Sequence, residues 1–425
     1  MTPQRQYLCI DQKSFYATVE CVERGLDPLK AKLVVADPER SENTICLAVS
    51  PALKAMGIKN RCRIRDIPPS VEHIVAPPRM QLYIDYAAEI HGVHLKYIAP
   101  EDIHVYSIDE SFLDVTKYLS LYRMNAKDLA KRIMQDTRDT LGTISTCGIG
   151  PNLYLTKVAL DIISKHSEDF IGELTEERYR KLLWDHQPIT DFWRVSTGTA
   201  ARLGRYGIYT MRGVAHASEE LLYRMFGIDA ELLIDHAWGR EPTTIADIKA
   251  YKPKSKSLSS GQVLMRDYKY GEGEVVTKEM MDQLCLDLTA QKLLTGSISL
   301  FVGYSHLEEI PPAKGTAKLD ASTNSSELLI PVIEGLYRQI VDPSHVIRRV
   351  SICCNHLTED QGCLQLNLFE TPETQIRSKA IQETMLEIRA KFGKNSILKG
   401  MNLEEAATGR IRNIQIGGHK SGANE

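Results

Sequence analysis

Apolar positions along the first third of the chain come in short runs that change period. Residues 7–10 form a continuous apolar run and read as a strand, while residues 14–24 carry apolar side chains at helical spacing. Asp11 therefore falls at a strand-to-helix junction. Residues 32–36 and 44–49 read as two further strands, and 51–56 as a short helix stopped by Gly57. This small insert closes near Pro68-Pro69. Residues 79–97 are helix-periodic until the chain breaks before Pro100. Residues 103–108 alternate like a strand, and 112–115 resume that pattern beyond an acidic pair. A helix over 126–141, a strand over 144–149 and a helix over 152–165 follow. Strand-helix-strand-strand-helix-strand is the ferredoxin-like order, a platform that supports many unrelated activities.

The pattern then changes. From 167 to 240 the text is helical with glycine breaks, and KAYKPKSKSLSSG (249–261) marks a linker rich in Lys, Pro and Ser. No acid occurs between Ile248 and Arg266. A second α+β unit reads as a strand over 261–265, a helix over 277–294, a strand over 297–305, a helix over 326–339 and a strand over 347–354. Beyond the general similarity of these two units there is no internal repeat.

A chain of 425 residues is long enough for two to four domains with separate cores. Its net charge of −3 does not mark a nucleic-acid binder, so any grip on a polyanion must come from local basic segments. No stretch approaches the roughly 18 to 20 apolar residues of a membrane span. The N-terminal run is too short for a secretory signal. Nine cysteines are scattered singly except for Cys353-Cys354, with no C-x-x-C, so neither a disulfide framework nor a zinc site is indicated. They read as reduced residues of a cytosolic protein.

The candidate chemistry lies in two places. Asp11 sits in YLCIDQKSFYATVE (7–20), and Asp109 and Glu110 in VYSIDESFLDV (105–115). Three carboxylates converging from neighbouring strands repel one another unless cations lie between them. Magnesium is the usual ion for an all-oxygen site and also takes phosphate oxygens, which points to chemistry on a nucleotide. Successive strand residues face opposite ways, so Asp109 and Glu110 can serve one site only if the chain turns or bulges between them. Ser107 and Ser111 flank the pair as hydrogen-bonding support.

DxxxFYAxVE from Asp11 to Glu20, followed by SIDE at 107–110, resembles the Y-family (translesion) DNA polymerases. The details are most similar to the UmuC-like, ImpB-MucB-SamB group of Gram-positive bacteria. The resemblance runs from Tyr7 to QIGGHK (415–420). It implies a multidomain α+β architecture: a ferredoxin-like palm over 1–20 and 76–166, small fingers over 21–75, and a helical thumb over 167–245. A linker over 246–257, an α+β little finger over 258–360 and a tail over 361–425 complete it.

The implied activity is that of a DNA-directed DNA polymerase, a nucleotidyltransferase of low fidelity. It would add deoxynucleoside triphosphates to a primer–template opposite damaged bases, in the DNA damage (SOS) response. Two Mg2+ ions would be held by Asp11, Asp109, Glu110 and the backbone carbonyl of Gln12. Tyr16 would lie beneath the incoming sugar as a steric gate against ribonucleotides, beside Phe15. Triphosphate contacts fall on Ser50 and Lys54, in SPALKAMG (50–57), where many relatives have a Tyr and an Arg. Lys165 is a further phosphate contact, one residue further from Lys157 than in many relatives.

In the thumb, FWRVSTGTAARLGRYGI (192–208) matches a helix-hairpin-helix, with Arg194 and Ser196 standing where the turn glycines usually are. Arg202 and Arg205 are candidate phosphate contacts there, as are Lys252, Lys254, Lys256 and Arg266 in the linker and little finger. QLNLF (365–369) resembles the peptide that docks on the ring-shaped sliding clamp (the beta ring). Gln365 would sit at the pocket rim, with Leu366, Leu368 and Phe369 inside. The resemblance also implies work in the cytoplasm at the nucleoid, with accessory subunits left open. Two other readings compete. A nucleotidyl cyclase shares paired acids on such a platform, and a non-catalytic or partner-dependent clamp-bound scaffold would act at stalled forks.

Overall fold

The computed structural model describes residues 5–253, 256–362 and 372–422. The chain divides into two compact units, residues 1–251 with 422–425, and residues 252–421.

In the first unit, β1 (Tyr7–Gln12) leads through the helix Phe15–Glu23 into a small sheet of β2 (Leu33–Val35), β3 (Ala48–Val49) and β4 (Ile74–Ala76), ordered β3-β2-β4. This insert has a core of its own, built from Val34, Cys46, Val49, Leu53 and Ile67. The strand expected over 44–49 is regular only at its end, and an isolated bridge between Ile45 and Arg63 holds its start.

The helix Met80–Leu95 returns the chain to β5 (Ile103–Val105), which bends over residues 107–109 into β6 (Glu110–Asp114). The helix Ala126–Leu141 precedes β7 (Ser145–Gly150). The order β5-β6-β1-β7 is the ferredoxin-like arrangement, with β1 at its centre. Leu8 and Ile10 pack on one face with Leu129 and Ile133, while Tyr7 and Cys9 pack on the other with Phe112 and Leu160. Burial on both faces is why β1 reads as an unbroken apolar run rather than an alternation. Each such side chain contributes roughly 1.5–3 kcal/mol.

Three differences from the sequence reading stand out in this unit. A fifth strand, β8 (Ile171–Glu173), pairs parallel with β7 where a helical region was expected; three residues are too few to show a period. The helix expected over 152–165 is α-helical only over Leu153–Val158. It widens into a π-turn over Ala159–Ile163 and tightens to a 3-10 turn over Ser164–His166. The first part of the expected linker is the helix Ile245–Ala250, capped by Thr244 and Asp247. Between them, five short helices from Glu176 to Trp238 enclose a separate core with Tyr154, Tyr179, Phe192 and Leu222.

The second unit runs β9 (Leu258–Tyr268), helix Tyr270–Ala290, β10 (Leu293–Tyr304), β11 (Ala313–Thr323), helix Ser326–Ile340 and β12 (Ile347–Asn355). Its sheet order is β11-β10-β12-β9. β11 escaped the sequence reading because its small, polar side chains stay partly or fully exposed on both faces. The helix Pro372–Phe392 and the chain up to 421 belong to this same unit.

Candidate active site

The two acidic motifs meet across one ladder. Asp11 of β1 lies directly opposite Glu110 of β6. Opposed residues of an antiparallel pair point to the same face, so these two carboxylates share one side of the sheet. Asp109 joins them through the bend: the amides of Tyr106 and Ser107 both donate to the Glu110 carbonyl, at 2.9 and 3.1 Å, and Gln12 N–H donates to the Asp109 carbonyl at 2.9 Å. Ser107 Oγ donates to Asp109 Oδ1 at 2.7 Å. The turn required by strand geometry is present.

The electrostatics record the crowding. Burial, then the negative charges of Asp109 and Glu110, push the Asp11 carboxyl from 3.8 up to about 8. Glu110 accepts from Lys157 Nζ at 2.9 Å and from the Cys9 thiol at 3.0 Å, and Lys157 also reaches Asp161 at 3.1 Å. Burial alone would lower the Lys157 ammonium, but Glu110 and Asp161 outweigh it and hold it above its usual value. No three His, Cys, Asp or Glu side chains form a ready ligand shell among the described residues. Glu110 is instead turned to an internal ammonium. The donor chemistry nonetheless suits a hard divalent cation: three carboxylates, with that of Asp11 raised by burial and by the negative charges beside it.

Tyr16 lies next to this centre, close enough for the charge of Asp109 to act on its hydroxyl. Its ring is stacked on Tyr83, centroids 4.4 Å apart and 15° from parallel. Phe15 is a core residue at 3 % exposure, so its ring faces the interior. Ser14, between the carboxylate and the aromatic pair, holds a left-handed conformation at φ 52°. Its hydroxyl accepts from Lys54 Nζ at 2.8 Å.

Lys54 thus reaches from the insert to the strand-to-helix junction. Lys13 and Lys165 lie within electrostatic range of it, and the negative charge of Asp11 acts on both Lys13 and Lys54. The π-turn absorbs the additional residue between Lys157 and Lys165. Lys13 was missed by the sequence reading, although it stands only two residues from Asp11. Ser50 is a correction. It is fully buried and its hydroxyl accepts from Leu33 N–H at 3.1 Å, so it is not available to a phosphate.

The DNA-contact candidates fare unevenly. Arg194 adopts φ 68°, the left-handed turn that glycine would take without strain, and lies over the Trp193 ring. Ser196 caps the next helix by accepting from Thr199 N–H at 3.1 Å. Arg202 is engaged inside its own unit, donating to the Met225 carbonyl at 3.0 Å and lying over Phe226. Arg205 is exposed. Arg266 is held by Glu272 and stacks on Tyr268, so its charge is already paired. Lys252 and Lys256 are exposed. Lys254 and the segment 365–369, with Gln365, Leu366, Leu368 and Phe369, lie outside the described residues.

A ferredoxin-like sheet thus gathers carboxylates from its central strands, beside lysines and an aromatic pair. The chain belongs to the impB/mucB/samB family: the family model matches residues 10–161 and its C-terminal domain model residues 255–368. It is 31 % identical to the UV-damage repair protein UvrX of Bacillus subtilis (strain 168), covering 99 % of this chain and 98 % of that protein. It is 28 % identical to DNA polymerase IV 2 of the same organism, over 99 % of this chain and all of that one. Among solved structures, a Y-family DNA polymerase chimera built from Dbh and Dpo4 shares the fold, with a TM-score of 0.65. It is 20 % identical and covers 83 % of this chain and 99 % of its own. No helix among the described residues is long and apolar enough to cross a membrane.

Proposed function

We propose that this chain is a template-directed DNA polymerase that extends a primer 3′-hydroxyl with deoxynucleotides past damaged bases. The observation that carries the reading is the convergence of Asp11, Asp109 and Glu110 from adjacent strands, with Lys13, Lys54 and Lys165 beside them and Tyr16 at their edge. When bound, two Mg2+ ions supply charge stabilisation to the attacking and leaving oxygens of an in-line displacement. Asp11, Asp109, Glu110 and the Gln12 carbonyl are the groups to hold them.

The remaining roles belong to the chain. Lys157 holds the Glu110 carboxylate in place through their ion pair at 2.9 Å. Lys13, Lys54 and Lys165 neutralise the triphosphate, and Lys, unlike Arg, does so as a point charge. The Tyr16 ring, backed by Tyr83, closes the space a 2′-hydroxyl would need. The small insert offers few residues to close over a nascent base pair, which suits low fidelity and tolerance of lesions. Exposed Lys252 and Lys256, with Lys254 between them, and Arg205 are the proposed phosphate contacts. The segment 365–369 is the proposed docking peptide for a sliding clamp, placing the protein at the nucleoid.

Extension of a labelled primer–template by purified protein with magnesium and deoxynucleotides tests this, beside the Asp109→Ala-Glu110→Ala variant. Extension by the wild type alone is the expected result. Failure of both, with and without a clamp, overturns it in favour of a scaffold.

A further inference from the structure

In the N-terminal insert two segments run antiparallel without forming a regular sheet. Ile45 bridges Arg63, Cys46 N–H donates to the Cys62 carbonyl at 2.8 Å, and Ile64 N–H donates to the Thr44 carbonyl at 3.1 Å. This register sets Cys46 opposite Cys62 on one face, near enough for the Cys62 thiol to act on that of Cys46. The Cys62 N–H turns to the Lys59 carbonyl at 3.3 Å, so one bond joins the pair, and facing Cα atoms of antiparallel segments lie about 4.5–5.5 Å apart. That is within the span of roughly 4.4–6.8 Å that a disulfide bridges without backbone movement. Cys46 is buried in the insert's core, while Cys62 is partly exposed. The sequence-adjacent pair differs: Cys354 points into the core of the second unit and Cys353 to the opposite face of β12.

We propose that Cys46 and Cys62 are a site of reversible oxidation, closing to a disulfide that staples the insert around the helix Pro51–Ala55 and its Lys54. The oxidant is a peroxide. The Cys62 thiol gives up its proton and its sulfur, the one open to solvent, attacks a peroxide oxygen; the O–O bond breaks, leaving Cys62 sulfenic acid and a hydroxide that takes that proton to become water. The Cys46 sulfur then attacks the Cys62 sulfur, the S–O bond breaks, and hydroxide leaves as a second water with the Cys46 proton. Two electrons pass from the sulfurs to the peroxide. Burial, with Cys62 beside it, pushes the Cys46 thiol up to about 12, so Cys46 is not the sulfur that meets the peroxide first. The bond would tie the two ends of residues 47–61, the stretch that carries Lys54 to Ser14.

The test uses the full, reduced chain treated with increasing hydrogen peroxide, alkylated, and mapped as peptides without reductant. The expected result is a Cys46–Cys62 cross-linked peptide, two hydrogens lighter than its parts, that forms ahead of any other cysteine pairing and vanishes with dithiothreitol. Cys62→Ser should leave Cys46 alkylatable at the same peroxide dose. The proposal is overturned if Cys62 proceeds to sulfinic acid, or stays reduced, while Cys46 remains a free thiol in the folded wild type. The readout is thiol chemistry in the wild type, so a folding defect in the variant does not blunt it. Failure of primer extension by the reduced protein would count against the polymerase reading alone.

Discussion

Tyr16 is positioned by a chain of contacts. Tyr83, stacked against it, donates its hydroxyl to Glu20 at 2.7 Å, and Glu20 has no exposed surface and is paired with Arg24 and Arg79. The Glu that ends the FYATVE run is therefore an anchor for the second ring, behind the proposed gate. Tyr16→Ala should keep extension and admit ribonucleotides. Tyr83→Ala should relax discrimination roughly tenfold, about 1.4 kcal/mol, by leaving the Tyr16 ring unsupported. The ratio of kcat/KM for ribo- and deoxynucleotides reads both, and unchanged ratios would sink the gate. A second residue-scale prediction concerns Asp11, whose carboxyl rises from 3.8 to about 8 in the fold. The folded chain then holds a proton between those values that the unfolded chain has lost, so this contribution to stability falls as pH rises through that window. Without divalent ions, the wild type should lose thermal stability relative to Asp11→Asn between about pH 5 and 8. Magnesium should remove the difference, as followed by melting curves.

At the scale of elements, the segment carrying Lys157 and Lys165 depends on glycines in the strands beneath it. A Cβ on Gly172 would stand 2.3 Å from the Ala159 carbonyl and 2.8 Å from Ser164 N, and one on Gly148 only 2.1 Å from the Thr156 carbonyl. The π-turn lies directly on the sheet because these positions carry no side chain. Gly172→Ala should lift the turn, destabilise the protein by roughly 1–3 kcal/mol and raise the KM for nucleotide. Denaturant melts with steady-state extension check it, and an unchanged KM would show that the turn does not place Lys165. The sequence carried both halves of this device, the long Lys157–Lys165 spacing and the glycines. Helical periodicity does not reveal a turn of different pitch.

At the scale of the molecule, the C-terminal residues are part of the second unit's packing. Glu279, 5 % exposed, accepts from Asn402 Nδ2 at 2.6 Å, Thr408 N–H at 2.7 Å and Gly409 N–H at 3.2 Å. Lys399 pairs with buried Asp282, and Gln382 bonds Thr289, Asn324 and Ser326. The helix Tyr270–Ala290 is thereby covered by the tail as well as by the sheet, which is why it carries no clear polar face. Hydrogen bonds to a buried carboxylate are worth about 1.5–3 kcal/mol each. Glu279→Ala should accordingly cost at least about 3 kcal/mol and expose residues 393–421 to protease. Limited proteolysis followed by mass spectrometry measures it. A tail that stays protected would show that the carboxylate is not its latch.

The sequence by itself determined what is written locally: the strand-to-helix junction at Asp11, the acidic pair at 109–110, the βαββαβ order of the first unit, and the run of lysines that precedes the second. Hydrophobic period reports that a face is buried, but not against which partner. Two units with the same element order therefore settle into different sheets, β5-β6-β1-β7-β8 and β11-β10-β12-β9. Strand pairing, the meeting of Lys13 with Lys54 and Lys165, the backing of Tyr16 by Tyr83, the facing thiols of Cys46 and Cys62, and the docking of the tail are all contacts between distant residues. Only the tertiary structure decided them, because each depends on which surfaces meet once every element has buried its apolar side.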